Sequence, residues 1–179
     1  MDAATLAGFD RVVTLPTGER ARLRPIRPDD EPRLSQLYDR SSRRTAYERF
    51  FTVMPRLPSD WAHFLANVDY ERRFALVLED LDSPDGRLIG VGRYEPTEDA
   101  GTAELAFVVQ DGWQGRGLGT LLVTELLRAA AANGIRQFRA YVLATNRRML
   151  SLLARHTDVR ERRMEQGVVD LLMAPKAGC

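Results

Sequence analysis

Hydrophobic and polar positions alternate near the start of the chain and then change to a helical spacing. Leu23 alternates with Arg22 and Arg24, which is typical of an edge strand. Residues 1–10 show no clear period and are expected to form a loose tail, and residues 11–15 are expected to form a short strand. Prolines and helical spacing beyond this strand predict three helices, which begin near residues 28, 43 and 59.

The middle of the chain is rich in β-forming residues. Turn sequences at residues 83–86 (Ser-Pro-Asp-Gly) and 98–101 (Glu-Asp-Ala-Gly) separate three such runs. Three antiparallel strands joined by turns are therefore predicted. They cover residues 74–78, 88–94 and 102–109.

Helical and strand patterns alternate in the last third. Apolar residues recur at helical spacing over 118–133, and Gly134 is placed to end this helix. A strand over 137–143, a helix capped by Asn146 and a strand over 168–173 are predicted to follow. No internal repeat or low-complexity linker interrupts the pattern.

Composition changes this picture little. The chain has 179 residues, 44% of them hydrophobic and 28% charged, which favours a single globular domain over residues 16–179. The formal net charge is +1, so no global field attracts nucleic acid or an anionic membrane. Any anion-binding site must therefore be local.

Cysteine and histidine content limits the chemistry further. The only cysteine is Cys179, so an intrachain disulfide is impossible and a cysteine nucleophile is not expected. His63 and His156 are the only histidines and are expected on helix surfaces, so no metal site is predicted. The chain lacks a basic leader and the roughly 20 apolar residues that span a bilayer, which favours the cytoplasm.

One glycine-rich turn carries a specific chemical signal. The segment Gln114–Gly119 lies between a predicted strand and the N-terminus of a predicted helix. Such an N-terminus has free N–H groups and a partial positive charge, and glycines let phosphate oxygens approach the backbone. Arg116 can add a charged contact from the flank. An ordinary strand-to-helix loop is the alternative interpretation. The glycine spacing differs from that of the dinucleotide-binding fingerprint, and the segment lacks the lysine of a phosphate-binding P-loop.

The order of strand, turn, Gln-x-x-Gly-x-Gly and helix resembles the acetyl-CoA motif of the GCN5-related N-acetyltransferase (GNAT) family. The resemblance is strongest over residues 72–156. It implies an α/β (α+β) fold whose mixed, mostly antiparallel sheet splays between the family's fourth and fifth strands, here 102–109 and 137–143. Acetyl-CoA would be the co-substrate, with its pantetheine in the gap. The cofactor-binding residues implied are Phe107, Val108, Val109, Gln114, Gly115, Arg116, Gly117, Leu118, Gly119, Thr120 and Asn146.

The resemblance also implies catalytic roles. The N–H of Val108 would bind the thioester carbonyl oxygen, and Glu104 would act as the general base for the attacking amine. Asn146 would contact pantetheine. A role only as the N-cap of the following helix is an alternative of equal weight. Leu153 occupies the position where the family often has a tyrosine acid, so no general acid is assigned. Phe107 and Trp113 are expected mainly to pack beneath the turn.

The acceptor is predicted less directly. The segment Tyr47–Phe51 and the Glu104 strand are similar to bacterial protein lysine acetyltransferases that act on acyl-CoA synthetases. This similarity implies a protein lysine acceptor. The chain has no room for the extra domain that such proteins often carry, so cyclic-nucleotide control is not implied. A small amine (an antibiotic or polyamine) and a noncatalytic acyl-CoA sensor remain alternatives. The expected acceptor-cleft residues are Arg43, Arg44, Tyr47 and Phe50.

Overall fold

The fold is a single β-sheet with helices on both faces. The computed structural model describes residue 1 and residues 3–176, so Cys179 lies outside the described residues. The described strands are β1 (Arg11–Thr14), β2 (Arg20–Pro25), β3 (Phe74–Asp80), β4 (Leu88–Pro96), β5 (Thr102–Val109), β6 (Gln137–Leu143), β7 (Thr157–Glu165) and β8 (Val168–Pro175). The helices are α1 (Ala3–Ala7), α2 (Glu31–Arg40), α3 (Arg43–Phe50), α4 (Ser59–Ala66), α5 (Leu118–Ala132) and α6 (Arg147–His156).

The strand order explains where a gap can form. The order is β1-β2-β3-β4-β5-β6-β8-β7, and every neighbouring pair is antiparallel except β5 and β6. That parallel pair has only three matched positions, of which Glu104 opposite Arg139 is the last. Beyond Glu104 the two strands separate, which confirms the predicted mixed sheet splayed between these strands.

Helices cover the two faces of the sheet differently. On one face, α5 packs over β4 and β5 and forms the larger hydrophobic core. A Cβ atom on Gly92 would lie 3.0 Å from Phe107 Cδ1 and 3.2 Å from Leu122 Cβ, so glycine allows this close packing. On the other face, α2, α3 and α4 enclose a second core.

Each element predicted from residue 11 onward has an observed counterpart, but the described residues form two further elements that were not predicted. Residues 3–7 form helix α1, and Phe9 is buried in the larger core with 1% of its surface exposed, where a loose tail was expected. Strand β7 was not predicted. Nearly all of its residues are exposed and many are charged, so it lacks the alternation that identifies a half-buried strand.

No helix among the described residues is both long and apolar enough to cross a bilayer.

A buried ion cluster ties β2 and β3 to the turn before α2. Arg24, with 1% of its surface exposed, donates two hydrogen bonds of 2.7 Å to Asp30 and one of 2.8 Å to Glu79. Burial alone would raise the pKa of Asp30, but the hydrogen bonds from Arg24 and the Arg27 backbone hold it below its ordinary value. The folded state therefore favours the ionised form of Asp30.

Replacing Arg24 with methionine should destabilise the fold by about 3–5 kcal/mol, because two buried carboxylates lose their buried counter-charge and keep only the half-exposed Arg33. Urea unfolding measures the change. The matched control is Arg163→Met, since the Arg163 side chain is 75% exposed and pairs with an exposed Glu161. Such surface pairs contribute about 0–1 kcal/mol. Equal effects of the two substitutions would show that the cluster does not support the fold.

The cluster also predicts a pH dependence. The pKa of Asp30 is lowered in the folded state, so its stabilising contribution is present above the unfolded carboxyl pKa and is lost as the pH falls through the folded pKa. Unfolding free energy should therefore decline on acidification below the ordinary aspartate pKa. Arg24→Met should show a weaker decline. An identical acid dependence in both proteins would contradict the assignment.

Candidate functional site

The backbone of β5 has a defined orientation towards its neighbours. At one end of the β4–β5 ladder the Gln110 N–H donates to the Ile89 carbonyl (3.0 Å), and at the other the Thr97 N–H donates to the Thr102 carbonyl (3.3 Å). The register between these two pairs runs without a shift. Hydrogen-bonded and non-hydrogen-bonded pairs alternate along an antiparallel ladder. The direction of every N–H group in β5 follows from these two bonds.

This alternation corrects one predicted role. Val108 lies opposite Val91, two positions from the Ile89 pair, so its N–H points towards β4. The N–H groups that point towards the gap are those of Phe107 and Val109. The expected contact between the Val108 N–H and a thioester in the gap does not fit this geometry, because the sequence pattern carries no information on hydrogen-bond phase.

The glycine-rich turn leads directly into α5, as predicted. Gln114 donates through Nε2 to the Val109 carbonyl (3.0 Å), which fixes the start of the turn on the end of β5. Gly115 and Gly117 have φ angles of 79° and 91°, a left-handed backbone that favours glycine. The first N–H groups of α5, over residues 118–120, have no partner within the helix. They lie at the helix end that joins the turn. These groups fit a diphosphate.

The three glycines of the turn meet different constraints. A Cβ on Gly119 would lie 3.0 Å from Leu152 Cδ2, so this glycine allows α5 to pack against α6. A Cβ on Gly117 would lie 3.3 Å from Pro16 Cδ. A Cβ on Gly115 would meet nothing within 4 Å. Gly115 is therefore the position at which ligand access can be tested with the least disturbance of packing.

The flanking side chains of the turn already have partners. Arg116 forms an ion pair with Glu19 and lies 5.2 Å from the Trp113 ring centroid. A diphosphate at the turn would compete with Glu19 for this guanidinium. Trp113 packs against the larger core and Phe107 belongs to it, as predicted for both.

Asn146 acts as the N-cap of α6, the simpler of the two roles considered for it. Its Oδ1 accepts a hydrogen bond of 3.1 Å from the Met149 N–H and caps α6. Among the described residues its Nδ2 has no hydrogen-bond partner, so a further contact remains open. Leu153 is fully buried in the larger core and serves packing.

A cavity lies on the opposite face of β5, beneath α2 and α3. It contains about 480 Å³ of empty space, part of it open to solvent. Its sheet wall is formed by Val91 and Arg93 from β4 and by Ala106 and Val108 from β5. The remaining lining residues are Leu34, Leu37, Tyr38, Ser41, Ala46, Arg49, Phe50, Leu57 and Leu65.

Glu104 lies on this same face of β5, because it alternates in phase with Ala106 and Val108. It is half-buried, opposite Glu95 on β4 and Arg139 on β6, at the last position before the strands separate. Burial raises the pKa of Glu104; Arg49 acts to lower it and Glu95 to raise it, with a net increase. A carboxylate with a raised pKa beside the gap is suited to accept a proton.

Sequence reasoning missed a connection between α3 and the turn. Asp111 accepts hydrogen bonds from the Ser42 N–H (2.8 Å), the Ser42 hydroxyl (2.6 Å) and the Thr45 hydroxyl (2.9 Å). Gln114 Nε2 also donates to Thr45 Oγ1 (3.2 Å). The Ser-x-x-Thr spacing at the start of α3 is a recognisable capping signal, but nothing local links it to Asp111.

The predicted acceptor residues divide into three groups. Phe50 lines the cavity, whereas Arg43 lines a separate open groove. Tyr47 is exposed, and Arg44 pairs with Glu48 at the surface. Arg49, which lies within the segment Tyr47–Phe51, was not predicted as a cleft residue and also lines the cavity.

The histidines lie away from the turn. His63 is on the exposed surface of α4, with its Nδ1 2.6 Å from Glu31 Oε1. His156 is partly buried rather than fully exposed, and burial lowers its pKa. Within the part of the chain that is described, no group of three or more His, Cys, Asp or Glu side chains could hold a metal ion.

Comparisons with known proteins agree with this geometry. A family model described as an acetyltransferase (GNAT) domain matches residues 20–156. The chain is 30% identical over 149 residues to an acetyltransferase of Pseudomonas aeruginosa, covering 83% of this chain and 80% of the relative. It is 34% identical over 145 residues to the acetyltransferase Pat of Mycolicibacterium smegmatis, covering 80% of this chain but only 42% of Pat.

Solved structures give the same result. The crystal structure of the GNAT domain of S. lividans PAT has a TM-score of 0.83 and 34% identity, covering 94% of this chain and 98% of that domain. A cAMP-binding acyltransferase from Mycobacterium smegmatis has a TM-score of 0.64 and 29% identity, and this chain covers half of it.

The turn predicts a charge-dependent difference between two variants of Gly115. Asn and Asp tolerate a left-handed backbone better than other residues with side chains, and they differ mainly in charge. Gly115→Asp should bind acetyl-CoA more weakly than Gly115→Asn, since repulsion between unit charges 4 Å apart is about 1–4 kcal/mol outside the deep interior. Calorimetry at low and high salt measures both affinities, and salt should narrow the difference. Equal affinities at low salt would place the diphosphate elsewhere.

Proposed function

The chain belongs to the GNAT acetyltransferase family, and on this premise we propose that it transfers the acetyl group of acetyl-CoA to a lysine side chain of a protein in a cytoplasmic setting. The observation that carries the proposal is Glu104, a half-buried carboxylate with a raised pKa at the point where β5 and β6 separate. It shares its face of the strand with the wall of the cavity beneath α3. A proton acceptor and a space for an acceptor chain therefore adjoin the gap.

The proposed cofactor site extends from the turn to the gap. The backbone N–H groups of Gly115 to Thr120 bind the pyrophosphate, supported by the partial charge of the α5 N-terminus. Arg116 exchanges its contact with Glu19 for a phosphate oxygen. Pantetheine lies along β5, where the N–H groups of Phe107 and Val109 point into the gap, and Nδ2 of Asn146 is free to approach it from α6. In this proposal Phe107 takes the role first expected of Val108.

The reaction needs a base because a lysine side chain is protonated at neutral pH. Glu104 accepts the proton of the lysine ammonium, directly or through one water molecule. The amine nitrogen then forms a bond to the thioester carbon and gives its second proton to water, and the carbon–sulfur bond breaks. A backbone N–H facing the gap stabilises the negative charge that develops on the carbonyl oxygen. The CoA thiolate leaves and takes its proton from water, since the buried Leu153 cannot supply one.

Exposed aromatic side chains support a protein acceptor. Tyr47 and Phe51 on the α3 side and Trp61 and Phe64 on α4 are between 38% and 54% exposed. Exposed apolar groups of this kind are suited to contact with a protein surface. The cavity itself is mostly apolar and partly open to solvent, with a few polar side chains in its lining. For this reason a small amine remains the second candidate acceptor.

Replacing Glu104 with glutamine tests the proposed base. Turnover should fall about 10²- to 10⁴-fold while the affinity for acetyl-CoA is unchanged. Glu98→Gln, in an exposed turn, is the control and should keep full turnover. If Glu104→Gln keeps nearly full turnover, the role of Glu104 is structural. If the wild type binds acetyl-CoA but acetylates no acceptor, the noncatalytic sensor is favoured.

The pH profile gives an independent test of the same residue. Glu104 acts as a base only when ionised, and its pKa is raised. The wild-type kcat should therefore decline on acidification at a pH above the ordinary glutamate range. Glu104→Gln should lose this acidic limb. A limb that persists unchanged in the variant would belong to another group.

Competition between acceptors tests the substrate class. A folded acyl-CoA synthetase, its isolated lysine peptide and polyamines are compared under saturating acetyl-CoA, with modified sites read by mass spectrometry. The folded protein should react fastest, because contacts remote from the lysine orient it beside the thioester. Faster acetylation of polyamines, with the synthetase unmodified, would favour the small-amine alternative.

A further inference from the structure

The cavity beneath α3 contains one charged side chain without a counter-ion. Arg49 lines the cavity, and no carboxylate lies within ion-pair distance of its guanidinium among the described residues. The one specific contact that its guanidinium makes with a described residue is with the Phe50 ring, whose centroid lies 4.8 Å from Cζ. Burial lowers the pKa of Arg49, but an arginine in a protein stays protonated. The cavity therefore contains a fixed and unneutralised positive charge.

The other cation in the cavity wall is fully engaged. Arg93 donates through Nε to Glu95 (2.9 Å) and through Nη1 to the Leu65 carbonyl (3.0 Å), and its Nη2 also contacts Glu95. Arg73 binds the second oxygen of Glu95 (2.6 Å). Glu95 is thus shared by two arginines and has little capacity left for a third. The hydrogen-bonding groups of Arg49 remain available to a ligand.

Glu104 does not explain Arg49. The two groups interact electrostatically, but they form no ion pair, so the Glu104 carboxylate does not occupy the hydrogen-bonding groups of Arg49. Holding a partly buried cation without a partner costs free energy, which a bound anion can recover.

We propose that the Arg49 guanidinium binds a carboxylate of the acceptor, so that the enzyme selects amines with a carboxylate within reach of the cavity. This inference rests on the proposed acetyl transfer at Glu104. A guanidinium binds a carboxylate through two parallel hydrogen bonds, and because Arg93 is already paired with Glu95, the one unpaired arginine of the cavity matches a single negative charge. The carboxylate belongs either to an aspartate or glutamate near the accepting lysine or to the α-carboxylate of a free amino acid. Polyamines, which add positive charge, are disfavoured.

Matched acceptor pairs test the selectivity. L-lysine and cadaverine differ only by the α-carboxylate, and two lysine peptides differ only by Glu or Gln beside the lysine. Wild-type kcat/KM should be about 10- to 100-fold higher for the carboxylate member of at least one pair, equivalent to ~1.4–2.7 kcal/mol. The pair that shows the preference identifies the source of the carboxylate. Equal values within both pairs would overturn the proposal.

Two variants separate recognition from a structural role. Arg49→Gln should abolish the preference by lowering kcat/KM for the carboxylate acceptor alone, and Arg49→Lys should restore part of it. Arg163→Gln, on the distant β7, is the control and should leave all values unchanged. An equal loss for both members of a pair would mean that Arg49 acts on Glu104 or on the fold instead.

A binding measurement distinguishes failure of this inference from failure of the proposed reaction. Hexanoate and hexanol are titrated into the protein by calorimetry, with acetyl-CoA binding measured separately. Hexanoate should bind the wild type more tightly than hexanol, and Arg49→Gln should lose the difference, whether or not any acceptor is acetylated. Equal binding of hexanoate and hexanol to a wild type that acetylates amines would overturn only the carboxylate site.

Discussion

The pairing between β5 and β6 stops after three positions, and the rest of the site depends on that limit. A parallel neighbour normally satisfies the backbone groups along one edge of a strand. Beyond Glu104 no such neighbour is present, so the N–H groups of Phe107 and Val109 face a gap instead. Because the gap begins at Glu104, unpaired backbone donors and a half-buried carboxylate lie beside each other in one short strand.

The turn after β5 is connected by hydrogen bonds to the helix above the cavity. Gln114 holds the end of β5 and also contacts Thr45 on α3, while Asp111 accepts three hydrogen bonds from the start of that helix. Helix α3 also contributes Arg49 to the cavity lining. A displacement of the turn, where we propose that the cofactor binds, would therefore move the helix that forms one side of the proposed acceptor cavity.

Electrostatics divide the site into two regions of different character. At the turn, positive potential comes mainly from backbone N–H groups and the α5 N-terminus, which suits a fully charged and partly hydrated diphosphate. In the cavity, positive potential comes from side chains in an apolar setting, where a single unneutralised charge is felt strongly. Arg93 is neutralised by Glu95 and Arg49 is not, so two arginines on neighbouring elements have different roles.

Local pattern in the sequence was sufficient for the order of most elements and for the position of the turn at residues 114–119, because periodicity, glycines and strand alternation act over a few residues. The role of Glu104 as a base came from the family resemblance and stays a prediction. Local pattern failed for β7, whose exposed residues carry no period, and for the direction of the Val108 N–H, which depends on the phase of a ladder with β4. Tertiary structure alone decided the contacts of Asp111, because its partners Ser42 and Thr45 lie far from it in the chain. It also decided the isolation of Arg49, because the nearby Glu95 is already paired with Arg73 and Arg93.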